Sequence, residues 1–166
     1  MQSVLANQSL KLEFETCTKM LSSNFLIQPY LGDYKMWQIV VFISSGSYSG
    51  IPLIFNVLFE DFPNKVPIII FQTGVSHPLI DHGTFRLDTS QFCSEWSQNM
   101  RVFSLLNYVY EVIGGYTSSK IDKDKKESFI KNVINHVSDV SERNEMCIPK
   151  KWNNQKEKLC LATTKI

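Results

Sequence analysis

The sequence lacks three features that would place it in a familiar class: a long apolar run, a net charge and paired cysteines. Its apolar runs, such as Pro67–Phe71, are far shorter than the ~20 residues that a membrane-spanning helix needs. The 17 Lys and Arg residues are balanced by 16 Asp and Glu residues, so the formal charge is only +1. We therefore expect neither a polybasic nucleic-acid-binding protein nor direct insertion into a membrane.

Cysteine is scarce, and the first residues show no basic start followed by an apolar core. The four cysteines, Cys17, Cys93, Cys147 and Cys160, contain no C-x-x-C pair. This spacing argues against a disulfide scaffold and against a cysteine zinc site. We expect a cytoplasmic protein without a metal or another cofactor.

Helical spacing and short apolar runs predict one helix, four strands and then two helices. The first helix falls within residues 1–24, with an apolar face formed by Leu10, Phe14, Cys17 and Leu21. Strands are predicted at Phe25–Pro29, Met36–Ser44, Ile51–Phe59 and Ile68–Gln72, with a turn at Tyr30–Lys35. Helices are predicted at Arg101–Gly114 (buried Val102, Leu105, Leu106, Val109 and Val112) and at Lys123–Ser141 (Phe129, Val133, His136 and Val137 on one stripe).

Short connections between successive strands indicate an antiparallel meander, and the order of elements indicates an α+β domain with helices packed on one sheet. The glycine- and serine-rich segment 45–50 contains no lysine and lies between two strands, so we interpret it as a hairpin loop, not a phosphate-binding loop. Residues 73–99 have no sustained period, and such a stretch is usually functional or held by packing.

A series of short motifs runs from Tyr48 to Trp96 and so extends into this region. They are Tyr48-Ser-Gly-Ile-Pro-Leu-Ile-Phe55, Phe62-Pro-Asn-Lys-Val-Pro67, Ile70-Phe71, His77-Pro-Leu-Ile80, Gly83, Leu87-Asp88 and Trp96. In order, spacing and type they resemble the ubiquitin-conjugating enzyme family. The resemblance implies a ubiquitin-conjugating (UBC-like) fold over residues 8–142, followed by a tail or short terminal helix at 143–166.

Two positions depart from the pattern of the active family. The cysteine that carries ubiquitin directly precedes Leu-Asp in that family, whereas Arg86 stands there in this sequence. A guanidinium is always protonated and cannot act as a nucleophile. The family's His-Pro-Asn is here His77-Pro78-Leu79, and leucine offers no donor to an oxyanion, a loss typically worth ~10²–10³ in rate. The resemblance therefore implies that this chain is not an enzyme.

Other chemistries can be assembled from the same region. A displaced nucleophile would be Cys93, which has no basic neighbour in sequence to lower its pKa. A metal site would combine His77, Asp81, His82, Asp88 and Cys93, and a hydrolase triad would combine Ser76, His77 and Asp81. Neither arrangement has the expected spacing, since tight ligand pairs and a nucleophile elbow are both missing. The resemblance instead implies a structural His77 that is hydrogen-bonded to backbone.

Within the family, the sequence is most similar to the Fused Toes branch. That branch also has His-Pro-Leu and a non-cysteine residue before Leu-Asp, and it carries a tail similar to Ile148-Pro-Lys-Lys-Trp152-Asn153. The resemblance implies a non-catalytic adaptor for protein partners, Hook-type coiled-coil proteins among them, in vesicle and endosome traffic. Ile148, Trp152 and Asn153 are the candidate partner-binding residues, although an exposed-looking tryptophan can also fold back onto its own domain.

A second interpretation stays open at this stage. Cysteine-less ubiquitin variant proteins bind ubiquitin non-covalently or assist an active conjugating enzyme. Their endosomal-sorting members end without the two trailing helices that are predicted in this chain. The sequence also lacks the basic run that the Fused Toes branch would have within Cys93–Arg101.

Overall fold

The computed structural model describes residues 2–92, 96–97, 99–117 and 121–143, with side chains from residue 4 to residue 136. Its elements are α1 (Gln2–Met20), β1 (Phe25–Tyr30), β2 (Asp33–Phe42), β3 (Pro52–Leu58), β4 (Ile68–Phe71), α2 (Val102–Gly114) and α3 (Lys123–Arg143). The predicted order of helices and strands is confirmed. The predicted turn at Tyr30–Lys35 was too long, because Leu31 and Gly32 turn the chain with positive φ (48° and 79°) and β2 already begins at Asp33.

The four strands form one antiparallel sheet in the order β1-β2-β3-β4, which confirms the meander and the α+β class. Side chains alternate along β2, so that Trp37, Ile39 and Val41 enter the main core while Val40 faces the opposite side. The main core lies between this inner face of the sheet and the apolar faces of α1 and α2.

Both of these helices present the stripe that their sequence spacing indicates, with one correction. Leu10 and Cys17 of α1 and Leu21, which directly follows it, are buried, and Phe14 packs against them. On α2 the last buried residue is Ile113, not Val112, because Ile113 follows Val109 by four residues and so shares its face. The remaining predicted residues of α2 are buried.

Helix α3 crosses to the outer face of the sheet. Phe129 still reaches the main core beside Tyr48, but Val133 packs with Leu26 and Val40 in a separate small cluster. His136 is half-buried, and the side chain of Val137 lies outside the described residues. The outer face of the sheet is therefore covered in part by α3, which contacts β3 and packs Val133 against Leu26 of β1 and Val40 of β2.

The segment 45–50 is a hairpin loop between β2 and β3, as predicted. It is held against the end of α2: the amide of Ser47 donates to Tyr116 O at 2.8 Å, and the hydroxyl of Ser45 donates to Gly114 O at 3.0 Å. Among the helices described, none is long and apolar enough to cross a bilayer.

Candidate functional site

Beyond β4 the chain adds two short extended segments to the edge of the sheet. Phe85–Leu87 lies beside β4, since Phe71 N donates to Phe85 O and Leu87 N donates to Ile69 O, both at 2.9 Å. Leu79–Asp81 lies beside that segment through Asp81 N to Arg86 O (3.0 Å) and Asp88 N to Leu79 O (2.7 Å). This pairing brings His77-Pro78-Leu79 next to Arg86-Leu87-Asp88, although six residues separate the two motifs in sequence.

The two motifs line an open cleft of about 640 Å³. Arg86 and Pro78 are exposed on it and Leu79 is half-buried, whereas Ile80 and Leu87 are buried beneath it. The lining residues are Pro78, Leu79, Ile80, Asp81, His82, Thr84, Arg86, Leu87 and Asp88. They include no cysteine, so none of the residues described along the cleft supplies a thiol.

Two carboxylates in the cleft are stabilised in their charged form. The backbone N–H and the hydroxyl of Thr84, with the N–H of Gly83, lower the pKa of Asp81. The backbone and side chain of Ser90 lower the pKa of Asp88. Arg86 therefore shares the cleft with two anions, and the cleft has no excess of positive charge to attract an anionic substrate.

His77 is buried and hydrogen-bonded to the backbone of two other residues. It is only 7% exposed, its Nδ1 accepts the N–H of Leu79 at 3.0 Å, and it is hydrogen-bonded to the backbone of Val112 in α2. Burial lowers the pKa of His77, and the bond to Val112 opposes that shift in part. The ring also lies 4.8 Å from that of Tyr116, so His77 ties the cleft to the end of α2.

Tyr48 holds the start of the same segment, a role that sequence reasoning did not assign. Its hydroxyl donates to Ser76 O at 2.9 Å and accepts the N–H of Ser76 at 2.7 Å. The side chain is 1% exposed. In the sequence, the available sign of this role is a tyrosine among the small residues of a loop. Its partner could not be predicted, because it lies 28 residues away.

The backbone donors around position 86 are already used within the fold. The amides of Leu79, Leu87 and Asp88 donate to His77 Nδ1, Ile69 O and Leu79 O. The amide of Arg86 has a longer bond, 3.4 Å, to the hydroxyl of Thr84. An oxyanion hole needs donors that point at a reacting atom, and these four amides point elsewhere.

The geometry gives little support to a metal site, a hydrolase triad or another cysteine nucleophile. Within the described part of the chain, no group of three or more His, Cys, Asp or Glu side chains is placed to hold a metal ion. His77 accepts the N–H of Leu79 at Nδ1 and is also bonded to the backbone of Val112, so neither ring nitrogen is free to serve Ser76 as a base. Cys17 is fully buried and burial raises its pKa to about 12, so this thiol is poorly placed to act as a nucleophile. Cys93, Ile148, Trp152 and Asn153 lie outside the described residues, and their predicted roles stay predictions.

Comparison with solved structures identifies the fold. The ubiquitin-conjugating enzyme E2 of Plasmodium falciparum superposes with a TM-score of 0.58 and 14% identity, covering 65% of this chain and 97% of that one. Human ubiquitin-conjugating enzyme E2 G1 also gives 0.58, with 17% identity over 65% and 93% of the two chains. No protein-family model matches the sequence.

Three sequence relatives show what the chain is similar to. Crossbronx of Drosophila grimshawi is 31% identical over 141 residues, 82% of this chain and 51% of that protein. AKT-interacting protein of Danio rerio is 30% identical over 107 residues, 63% and 34% of the two chains. Crossbronx-like protein of Drosophila erecta is 32% identical over 80 residues, 46% and 30%. This chain is a relative of the Fused Toes proteins, with their ubiquitin-conjugating fold.

The resemblance stated from the motifs is thus confirmed for both the fold and the branch. The match to the Fused Toes relatives is partial, because this chain spans between about a third and half of their length. Similarity alone therefore does not assign to this chain the functions of the parts of those proteins that it does not match.

Proposed function

We propose that this chain is a non-catalytic protein of the ubiquitin-conjugating fold that acts as a protein-binding adaptor in the cytoplasm. The observation that carries the proposal is the arrangement at the cleft: Arg86 occupies the position that precedes Leu87-Asp88, and the amides around it are committed to internal hydrogen bonds. A cleft whose described lining offers no thiol, and whose amides around Arg86 are already bonded within the fold, is suited to binding, not to transfer chemistry.

The binding role draws on the relatives. One of them is named AKT-interacting protein, which describes a protein partner for that relative. By analogy with the Fused Toes branch, the partners of this chain are proteins such as Hook-type coiled coils, and the process is vesicle and endosome traffic. Ile148, Trp152 and Asn153 would supply the contact, with the indole of Trp152 as an apolar anchor.

The first test addresses catalysis. The chain is incubated with ubiquitin-activating enzyme, ATP and ubiquitin, and thioesters are detected on a non-reducing gel, with an active conjugating enzyme as positive control. We expect no reductant-sensitive ubiquitin adduct. An adduct that disappears in Cys93→Ser would overturn the proposal and make Cys93 a displaced nucleophile.

The second test addresses the partner. The tagged chain and its Trp152→Ala variant are isolated from cells of the native source under gentle lysis, with Lys151→Ala as a neighbouring control. We expect a Hook-type coiled-coil protein whose recovery falls in Trp152→Ala and not in Lys151→Ala. Recovery of ubiquitin or of an active conjugating enzyme, unaffected by Trp152→Ala, would replace the adaptor with the ubiquitin-variant alternative.

A further inference from the structure

His77 makes two backbone hydrogen bonds that only its neutral ring can make together. Nδ1 accepts the N–H of Leu79 at 3.0 Å, so this nitrogen carries no proton. The second bond, to the backbone of Val112, favours the protonated ring, so it runs from Nε2–H to the carbonyl oxygen. The two bonds together fix the neutral tautomer that has its proton on Nε2.

A second proton on the ring would break one of these bonds and keep the other. In an imidazolium both nitrogens are donors, so a proton on Nδ1 would point at the N–H of Leu79, 3.0 Å away. Two donors cannot share a hydrogen bond, whereas the bond from Nε2 to Val112 persists. Protonation of His77 therefore releases the amide of Leu79 and preserves the contact with α2.

His77 lies among neutral groups, so a protonated ring has no buried counter-ion within the described residues. It is 7% exposed, and the groups against it are the ring of Tyr116, with centroids 4.8 Å apart, and the carbonyl of Val112. The titratable and charged side chains on the elements around it are Tyr48 of the 45–50 loop, Glu111 of α2, Tyr116, Lys125 of α3, and Asp81, His82, Arg86 and Asp88 of the cleft. The carboxylates among them are all exposed. Burial therefore lowers the pKa of His77 without an opposing negative charge.

The short segment that contains His77 is anchored on both sides, which favours a local change over a general one. On one side the Tyr48 hydroxyl bonds both the N–H and the carbonyl oxygen of Ser76, at 2.7 and 2.9 Å. On the other side the N–H of Asp88 donates to Leu79 O at 2.7 Å. Between these anchors, the bond to the amide of Leu79 is the one that depends on the proton of His77.

We propose that His77 is an acid-sensitive switch of the cleft: its protonation releases the N–H of Leu79 and loosens the wall formed by Pro78 and Leu79, while the rest of the fold stays in place. Both wall residues line the cleft of about 640 Å³. In the acid form the cleft gains a free backbone donor that the neutral form holds bonded. The proposal goes beyond the adaptor function and does not depend on it.

Hydrogen exchange of the backbone amides of the full chain, followed by NMR from about pH 7.5 to about pH 4.5, tests the proposal. Each rate is divided by that of an unfolded peptide at the same pH, so that the intrinsic pH dependence of exchange cancels. We expect the protection of Leu79 to fall at least about tenfold as the ring resonances of His77 titrate, while the sheet amide of Leu87 keeps its protection. Unchanged protection of Leu79 after the ring has titrated would overturn the proposal. Loss of protection at both amides together would be global unfolding and would overturn it as well.

His77→Asn separates the proton of the ring from its hydrogen bond. The Oδ1 of asparagine is attached to Cγ, as Nδ1 is, so it can accept the N–H of Leu79, and it does not titrate. The protection of Leu79 should then be independent of pH. His82→Asn changes an exposed histidine of the same cleft and should follow the parent chain. If the acid loss of protection persists in His77→Asn, another group causes it and the proposal is wrong. Where the variant does not fold, the coincidence of the His77 and Leu79 midpoints in the parent chain decides the question.

Discussion

Nδ1 of His77 accepts the backbone N–H of Leu79 at 3.0 Å, so the histidine of the altered motif fixes the residue that replaces the asparagine of active enzymes. This bond uses the backbone amide of Leu79, which is its remaining hydrogen-bond donor. The leucine side chain has no hydrogen-bond donor and the leucine amide is already bonded, so both features remove donors from position 79. Neither the side chain nor the amide of Leu79 is therefore free to donate a hydrogen bond to a bound molecule.

The first prediction concerns pH. Burial lowers the pKa of His77 below 6.5, so the unfolded chain binds a proton more readily than the folded one. The contribution of neutral His77 to the free energy of unfolding is fully present above about pH 6.5, and it is lost as the pH falls through the lower pKa of the folded state. Urea unfolding between about pH 8 and about pH 5 should show stability decreasing towards acid.

His77→Gln should flatten this pH dependence and cost about 1–3 kcal/mol near neutral pH, because the bonds of a buried polar group are disturbed. His82→Gln changes an exposed histidine of the same cleft and should keep the slope of the parent chain. An unchanged slope in His77→Gln would show that another group carries the pH dependence.

The second prediction concerns Cys17. Its thiol is buried and its pKa is raised to about 12, mainly by burial and further by Glu13. Near pH 8 the thiol therefore stays protonated, and its burial shields it from reagent. Maleimide labelling followed by peptide mass spectrometry should therefore find Cys17 unmodified in the native protein and modified in urea. Rapid native labelling would contradict the burial of this side of α1.

Periodicity and turn chemistry were sufficient to predict the elements. The strands of this chain are rich in β-branched and aromatic residues, and short loops separate them, so their existence and their antiparallel order followed from local sequence. The predicted Val112 was wrong by one position, because a valine next to an isoleucine leaves the phase of a helical stripe ambiguous.

Contacts between distant segments were not predictable in the same way. The bonds of Tyr48 to Ser76 span 28 residues, and the cleft depends on the placement of Leu79 beside Asp88. Local propensity contains no information on such pairings. The motif resemblance identified His77 and Arg86 as a site, whereas Tyr48 and the acceptors of the backbone amides required coordinates.

The third prediction compares two glycines of one loop. Gly46 and Gly50 both have positive φ, 75° and 77°. A Cβ on Gly46 would lie 2.5 Å from Gly114 O and 2.6 Å from Tyr116 O, whereas a Cβ on Gly50 meets open space. Gly50→Ala should cost about 1–2 kcal/mol from backbone strain alone. Gly46→Ala should cost at least about 2 kcal/mol more, since the loop must leave the end of α2.

Urea or thermal unfolding of the two alanine variants measures that difference directly. The comparison cancels the cost of backbone strain, because φ is nearly the same at both positions. Equal costs would mean that the loop moves away from α2 freely, and the contact from Ser47 N to Tyr116 O would then contribute little to stability.

The last prediction concerns the start of α2, which is capped from another helix. Arg101 occupies the N-cap position and makes no side-chain cap of its own, because a guanidinium has no acceptor. Glu13 of α1 supplies the acceptor instead: Oε2 accepts the N–H of Val102 at 3.2 Å and Oε1 pairs with Arg101 Nε. Glu13→Ala should destabilise the chain by about 1–2 kcal/mol, and Glu13→Gln by less, since the amide oxygen can still accept.

The exposed pair of Lys123 and Glu127, 3.9 Å apart, is the matched control for this ion pair. Because both of its side chains are largely in water, Glu127→Ala should change the free energy of unfolding by no more than about 0.5 kcal/mol. Glu13 is only 12% exposed and bonds a helix end, so a cost like that of Glu127→Ala would mean that water caps α2 equally well. A larger cost for Glu13→Ala than for Arg101→Ala would place the stabilisation in the cap to Val102, not in the ion pair.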